Sequence, residues 1–254
     1  MSFLNFFGRR APAAAAVRPR VEAGRRVYAV GDIHGRNDLL VALLDMIRAD
    51  DRARGAAETV LILLGDLIDR GPSSAAVLDT AVRASKEWTD FHWLTGNHEE
   101  VFAKVLAGDS EALKFFCRIG GEETILSYGV APDAYRGMSL AELSDALDAL
   151  VPASHRQFLE TGESWVREGD YLFVHAGIRP GVALMDQKAS DLRWIRQPFL
   201  DDARHHGFFV IHGHTIKEEI DLHPNRLGID TGAYYTGRLT AVGLEGDQQW
   251  FLTT

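Results

Sequence analysis

Five apolar runs in this chain break off in a similar way, at a glycine within two residues of an aspartate, asparagine or histidine. The first, residues 27–30, leads into Gly31-Asp32-Ile33-His34-Gly35. A second, "TVLILLGD", leads into Gly65-Asp66-Leu67-Ile68-Asp69-Arg70-Gly71. A third, "FHWLTG", leads into Gly96-Asn97-His98-Glu99. Later runs end at His175-Ala176-Gly177 and at His212-Gly213-His214-Thr215. Short apolar runs closed by turn residues read as buried strands. Between the first three, Leu39, Leu40, Leu43, Leu44 and Ile47 have helical spacing and predict a helix over 38–49. Another is predicted over 73–86, opening at Pro72 and Ser73, and a third over 99–106. Strand and helix in alternation predict parallel βαβ units. Open sheets of that kind place ligands beyond the carboxyl ends of their strands. The five strand ends therefore deliver Asp, His, Asp, Asn, His and His to one edge.

The remaining sequence changes character. Residues 109–163 read as mostly helical, broken at Gly120, Gly121, Gly129 and Pro132, with Leu140, Leu143, Leu147 and Leu150 three and four apart. This predicts a helical insertion, a lid beside the site. Strands return in "DYLFVHAG", "GFFVIHGHT", "NRLGIDTG", "RLTAVGLEG" and "QQWFLTT", the last three as an antiparallel end to the fold. With 254 residues the chain can bury one substantial core. The expected organisation is a disordered leader over 1–24 and one catalytic domain over 25–254.

A formal net charge of −9 argues against a chain whose task is to grip nucleic acid by its phosphates. Anionic substrates remain open, since bound metal reverses the field of a pocket. The single cysteine, Cys117, excludes an internal disulfide and fits a reducing compartment; its apolar setting in "LKFFCRIG" reads as core filling. No run approaches the ~20 apolar residues of a membrane span. The opening, "MSFLNFFGRRAPAAAAVRPR", has Arg9 and Arg10 before an apolar stretch, as in a secretion signal, but that stretch contains Pro12, closes at Arg18 and barely reaches the lower limit of length for one. Phe3, Leu4, Phe6 and Phe7 offer a weaker alternative, a surface anchor. The expectation is a cytoplasmic monomer without stable membrane insertion.

The residues at the strand ends form a ligand set for two metal ions. Two cations ~3.5–4 Å apart need a carboxylate between them. Asp66, from a middle strand, is the natural bridge. Asp32 and His34 share strand parity and would hold one cation; Asn97, His175 and His214 would hold the other. Oxygen and nitrogen ligands without thiolate suit Mn²⁺, with Fe or Zn²⁺ as alternatives.

In this order, "GDIHG", "GDLIDRG", "GNHE", "HAG" and "GHT" resemble the phosphoprotein phosphatase family of metallophosphoesterases, in its compact bacterial and phage serine/threonine form, over roughly 25–243. The resemblance implies an α/β fold of the calcineurin-like type, with central mixed sheets packed as a sandwich and flanked by helices. It implies Asp32, His34 and Asp66 on one metal, and Asp66, Asn97, His175 and His214 on the other. It makes His98 the general acid, Asp69 the residue that orients it, and Arg70 a grip on phosphate. A second arginine comes from "DLRWIRQPF", Arg196 in preference to Arg193. The implied activity is hydrolysis of a phosphorylated protein or small phosphoester by hydroxide shared between the two cations.

Other readings stay open. Dinucleoside tetraphosphate hydrolases carry similar motifs, although that group typically changes the residue at Asp69 and has Asp in place of Glu99. A non-catalytic phosphate reader of the same fold is a third reading. Asn97 serves as helix cap, ligand or both. His212 competes with His214. Asp230 is a candidate acceptor for a ligating imidazole. Tyr234 and Tyr235 read as packing.

Overall fold

The computed structural model describes residues 18–254. Its first sheet is built on β1 (Arg25–Val30), β2 (Glu58–Leu63) and β3 (Asp90–Trp93), parallel to one another. They are joined through α1 (Asn37–Arg54) and α2 (Ser74–Glu87). On the other side of β1 lies the antiparallel pair β9 (Thr240–Glu245) and β10 (Gln248–Thr253), giving the order β10-β9-β1-β2-β3.

A second sheet has the order β4-β5-β6-β8-β7, with β4 at Trp165–Glu168, β5 at Tyr171–Val174, β6 at Phe209–His212, β7 at Asp221–Leu222 and β8 at Arg226–Gly228. The expected antiparallel run of the last three strands is corrected here. Only β9 and β10 form it, whereas β8 pairs in parallel with β6 in the other sheet. The short strands β4 and β7 were not legible, having four and two residues.

Alternation of side chains decides how the layers stack. Val27, Ala29, Val60 and Ile62 of the first sheet share one core with Val166, Phe173, Ile211 and Leu227 of the second, so the two sheets face each other. Tyr28, Val30, Leu61 and Leu63 point the opposite way, into a larger core shared with the helices. Leu172, Val174 and Val210 turn from the second sheet toward Leu192 of α9 (Ala189–Trp194) and Phe199 in the turn after it. The inner strands are buried on both faces, hence their unbroken apolar text.

After α3 (Asn97–Leu106) the insertion forms five helices: α4 (Ser110–Arg118), α5 (Gly121–Ser127), α6 (Pro132–Gly137), α7 (Leu140–Leu150) and α8 (Ala153–Leu159). Leu113, Phe116, Ile125, Leu143, Leu147 and Phe158 place them on the helical face of the first sheet, with Cys117 partly buried against the same core. The boundary expected at Arg25 falls later than the packing does. Val21 is buried and its N–H donates to Gly246 O, while Pro19 O accepts from the Tyr171 hydroxyl. Phe3, Leu4, Phe6 and Phe7 lie outside the described residues. Among those described, no helix is long and apolar enough to cross a membrane.

Candidate active site

The carboxyl ends of β1, β2, β5 and β6, with the turn after β3, converge where the two sheets meet. Asp66 lies at the centre. Its Oδ2 is 3.5 Å from His34 Nε2 and its Oδ1 is 3.4 Å from His175 Nε2. It thus belongs to two groups of side chains that could each hold a cation, one with His34 and His98, the other with His175 and His214. Asn97 joins the second group, its Oδ1 lying 3.1 Å from His175 Nε2 and 2.8 Å from His214 Nδ1. Asp32 sits behind, accepting from the His214 backbone N–H at 3.0 Å.

The backbone here is bent into a region that side chains resist. Among the described residues, the non-glycine positions with positive φ are His34, Asp66, Asp69, Arg70 and His214. Each costs roughly 1–3 kcal/mol and persists only where its surroundings over-determine it. Glu99, the fourth residue of "GNHE", supplies much of that constraint for Asp66. Its buried carboxylate accepts from the N–H groups of Asp66, Leu67 and Gly96 at 2.9, 2.7 and 3.0 Å. A side chain at Gly96 would strike both Asp66 and Glu99, so the turn after β3 requires glycine.

The donor set fits divalent cations. The Nδ1–H of His34 donates to Ile68 O and that of His175 to Leu64 O, both at 2.8 Å, which turns each Nε2 toward Asp66. Burial holds both imidazoles below their usual value, and pushes His214 down to about 3, so all three are in the neutral, ligating form. His214 Nε2 is buried and has no partner among the described residues.

A second constellation adjoins the first. His98 Nδ1 lies 2.6 Å from Asp69 Oδ2. Its Nε2 lies 3.9 Å from Asp66 Oδ2. Burial pulls His98 down, yet the carboxylates of Asp66 and Asp69 outweigh that and raise it. The Arg70 guanidinium places its nitrogens 2.9 Å from His34 Nε2 and 2.9 Å from His98 Nε2. It therefore reaches both groups on which the chemistry would draw. Such an arrangement, an acid dyad and an arginine beside a two-cation ligand set, suits phosphoester hydrolysis.

The family follows from comparison. A model described as calcineurin-like phosphoesterase matches residues 25–236. The chain belongs to the calcineurin-like phosphoesterases. As a metallophosphoesterase it is a hydrolase, and the family works with a pair of metal ions. It is 27% identical over 226 residues to serine/threonine-protein phosphatase 2 of Escherichia coli (strain K12), covering 85% of this chain and 91% of that one. It is 26% identical over 235 residues to an asymmetrical bis(5'-nucleosyl)-tetraphosphatase of Anoxybacillus flavithermus (strain DSM 21510 / WK1), covering 84% and 88%. The solved structure of a protein proposed to be a diadenosine tetraphosphatase superposes with a TM-score of 0.60 over 94% of this chain and 96% of that one. At 22% identity that likeness speaks to the fold alone.

The other candidates in this metallophosphoesterase are placed unequally. Arg196 is exposed, its Nη2 3.5 Å from His214 O, whereas Arg193 is half-buried and pairs with Glu100 at 3.5 Å. His212 turns away from the cation ligands, toward Gly213 O and Arg226 Nη1 at 3.0 and 3.3 Å. Asp230 serves no imidazole. It packs against the Asp32 carboxyl, where burial raises it to about 6, and its Oδ2 has no hydrogen-bond partner among the described residues. Tyr234, read as packing, instead faces the site: its ring meets His34 edge-on at 5.6 Å and lies 5.3 Å from the Arg70 guanidinium. Glu99 enters the sequence reading only as a motif letter. Acceptance of backbone N–H groups and a contact across the fold leave no mark on hydrophobic periodicity.

Proposed function

We propose that this chain is a serine/threonine protein phosphatase, acting on phosphomonoesters with Mn²⁺ as its metal. The observation that carries the reading is the buried His98–Asp69 pair at 2.6 Å. A serine or threonine alkoxide is a poor leaving group, and a positioned acid is worth ~10²- to 10⁴-fold in such a step. The phosphate leaving group of a dinucleoside tetraphosphate departs with far less need of a proton. Asp32, His34, Asp66, Asn97, His175 and His214 would hold two divalent cations, which supply a nucleophile from solvent at neutral pH and neutralise phosphate charge. His98 holds a proton on the side of the site facing Asp66 and gives it to the departing oxygen. Asp69 fixes the imidazole so that Nδ1 carries its other proton and Nε2 faces the substrate. Arg70 offers two N–H donors to equatorial phosphate oxygens, and Arg196 stands at the rim to add a second guanidinium.

Hydrolysis of a dinucleoside tetraphosphate is the second reading, supported by the likeness to the Anoxybacillus enzyme. A substrate panel on metal-stripped protein refilled with one ion at a time tests both. Higher kcat/KM for phosphoserine and phosphothreonine peptides than for a dinucleoside tetraphosphate, with Mn²⁺ most effective, is the expected result. The reverse order of substrates would sink the phosphatase reading.

A further inference from the structure

The strained Asp69–Arg70 pair, with φ of 72° and 66°, is held from a distance in sequence by the insertion. Thr124, fully buried on α5, places its Oγ1 2.6 Å from Asp69 Oδ1 and 2.9 Å from Asp69 N. Ser74 at the start of α2 completes the group. Its Oγ accepts from Asp69 N at 3.0 Å and lies 2.8 Å from Thr124 Oγ1. The hydrogens balance. Thr124 gives its one proton to the Asp69 carboxylate and accepts the Asp69 N–H, which it shares with Ser74. Arg70 N donates to Gly120 O at 2.9 Å, so the same corner of the insertion pins the next residue.

Both oxygens of Asp69 are thereby assigned: Oδ1 to Thr124, Oδ2 to His98. Without the Thr124 hydroxyl the carboxylate is free to rotate about its Cβ–Cγ bond, and the orientation of the His98 imidazole goes with it. We propose that Thr124, supported by Ser74, is a positioning residue for the His98–Asp69 acid, so that a helix of the insertion sets the strength of leaving-group protonation. The proposal rests on the reading of His98 as general acid given above.

The test compares Thr124→Val, Thr124→Ser and His98→Asn on a phosphoserine peptide and on p-nitrophenyl phosphate, with bound metal measured in each variant. Thr124→Val keeps the shape of the side chain and removes the hydroxyl. It is expected to lower kcat about 10- to 100-fold on the peptide and less than about 3-fold on the aryl ester, whose leaving group needs little protonation. Metal content should stay unchanged, and Thr124→Ser should restore the peptide rate to within about 3-fold of the parent. In the His98→Asn background, Thr124→Val should add no further loss on the peptide, because the two act as a unit. Equal losses of Thr124→Val on both substrates, or additive losses with His98→Asn, would overturn the proposal. If His98→Asn itself fails to discriminate between the substrates, the general-acid reading falls with it. If His98→Asn discriminates and Thr124→Val does not, the role of Thr124 alone is wrong. Should Thr124→Val not fold, Ser74→Ala is expected to show the same substrate bias at smaller size, and an unbiased loss there overturns the proposal.

Discussion

Asp66 offers one oxygen to each half of the site, so its loss should affect both cations where the loss of a peripheral ligand affects one. Asp66→Asn is expected to reduce bound Mn²⁺ from two ions per chain to less than one, and Asp32→Asn to about one, by elemental analysis after desalting. Retention of two ions in Asp66→Asn would mean that the carboxylate between His34 and His175 is not shared. In the proposed mechanism His98 is the acid and not a ligand, although it lies 3.9 Å from Asp66. His98→Asn should keep both metals and lose ~10²- to 10⁴-fold in kcat on alkyl phosphates, with a much smaller loss on aryl phosphates. Steady-state rates across a series of leaving groups would show this as a steeper dependence on leaving-group basicity. An unchanged slope counts against His98 as the acid.

At the scale of elements, the site is a set of turns forced into left-handed backbone by what packs behind them. Glu99, opening α3, gathers the N–H groups that follow β2. The corner between α4 and α5 does the same for Arg70. Gly120, at φ of 110°, has no room for a side chain: a Cβ there would stand 2.8 Å from Arg70 Cγ and 3.2 Å from Arg70 N. Gly120→Ala should therefore push the guanidinium from its place. The expected outcome is a rise in KM for phosphoesters of about 10-fold, with ~1–2 kcal/mol of lost stability from the positive φ. Kinetics and chemical denaturation measured together would check it; lost stability with KM unaltered would show that the corner does not hold Arg70. The insertion, expected as a lid, thus acts as a support for Asp69 and Arg70 from behind.

On the scale of the molecule, the outer edges of the layers are tied by charged clusters remote from the chemistry. Asp50 on α1 accepts from the Tyr28 hydroxyl at 2.6 Å, from Arg54 at 2.8 Å and from the Trp250 indole at 2.9 Å, joining α1 to β1 and β10. Burial opposes its ionisation, but those three donors outweigh burial and lower its pKa. A carboxyl lowered by folding stabilises fully above its unfolded pKa, and that contribution is lost as pH falls through the folded one. Asp50→Asn should therefore cost about 1–3 kcal/mol at pH 7 and progressively less below pH 4. Denaturation at the two pH values, with chelator present, checks the sign; a gap independent of pH would rule out the ionised carboxylate as its source.

By itself the sequence determined which residues could meet a cation and where each would emerge. Apolar strands of parallel βαβ units must end on one edge, and the candidate ligands Asp32, His34, Asp66, Asn97 and His175 sit after such runs. Preference for His214 over His212 rests on motif order; in the structure His214 Nδ1 lies 2.8 Å from Asn97 Oδ1. Only the tertiary structure decided that β8 joins β6 rather than β9, because burial on both faces looks the same in either sheet. Only it turned Tyr234 toward Arg70 and set Thr124 under Asp69, fifty-five positions away. Periodicity records which face of an element is apolar; it carries no record of which distant polar group a buried hydroxyl or carboxylate will find.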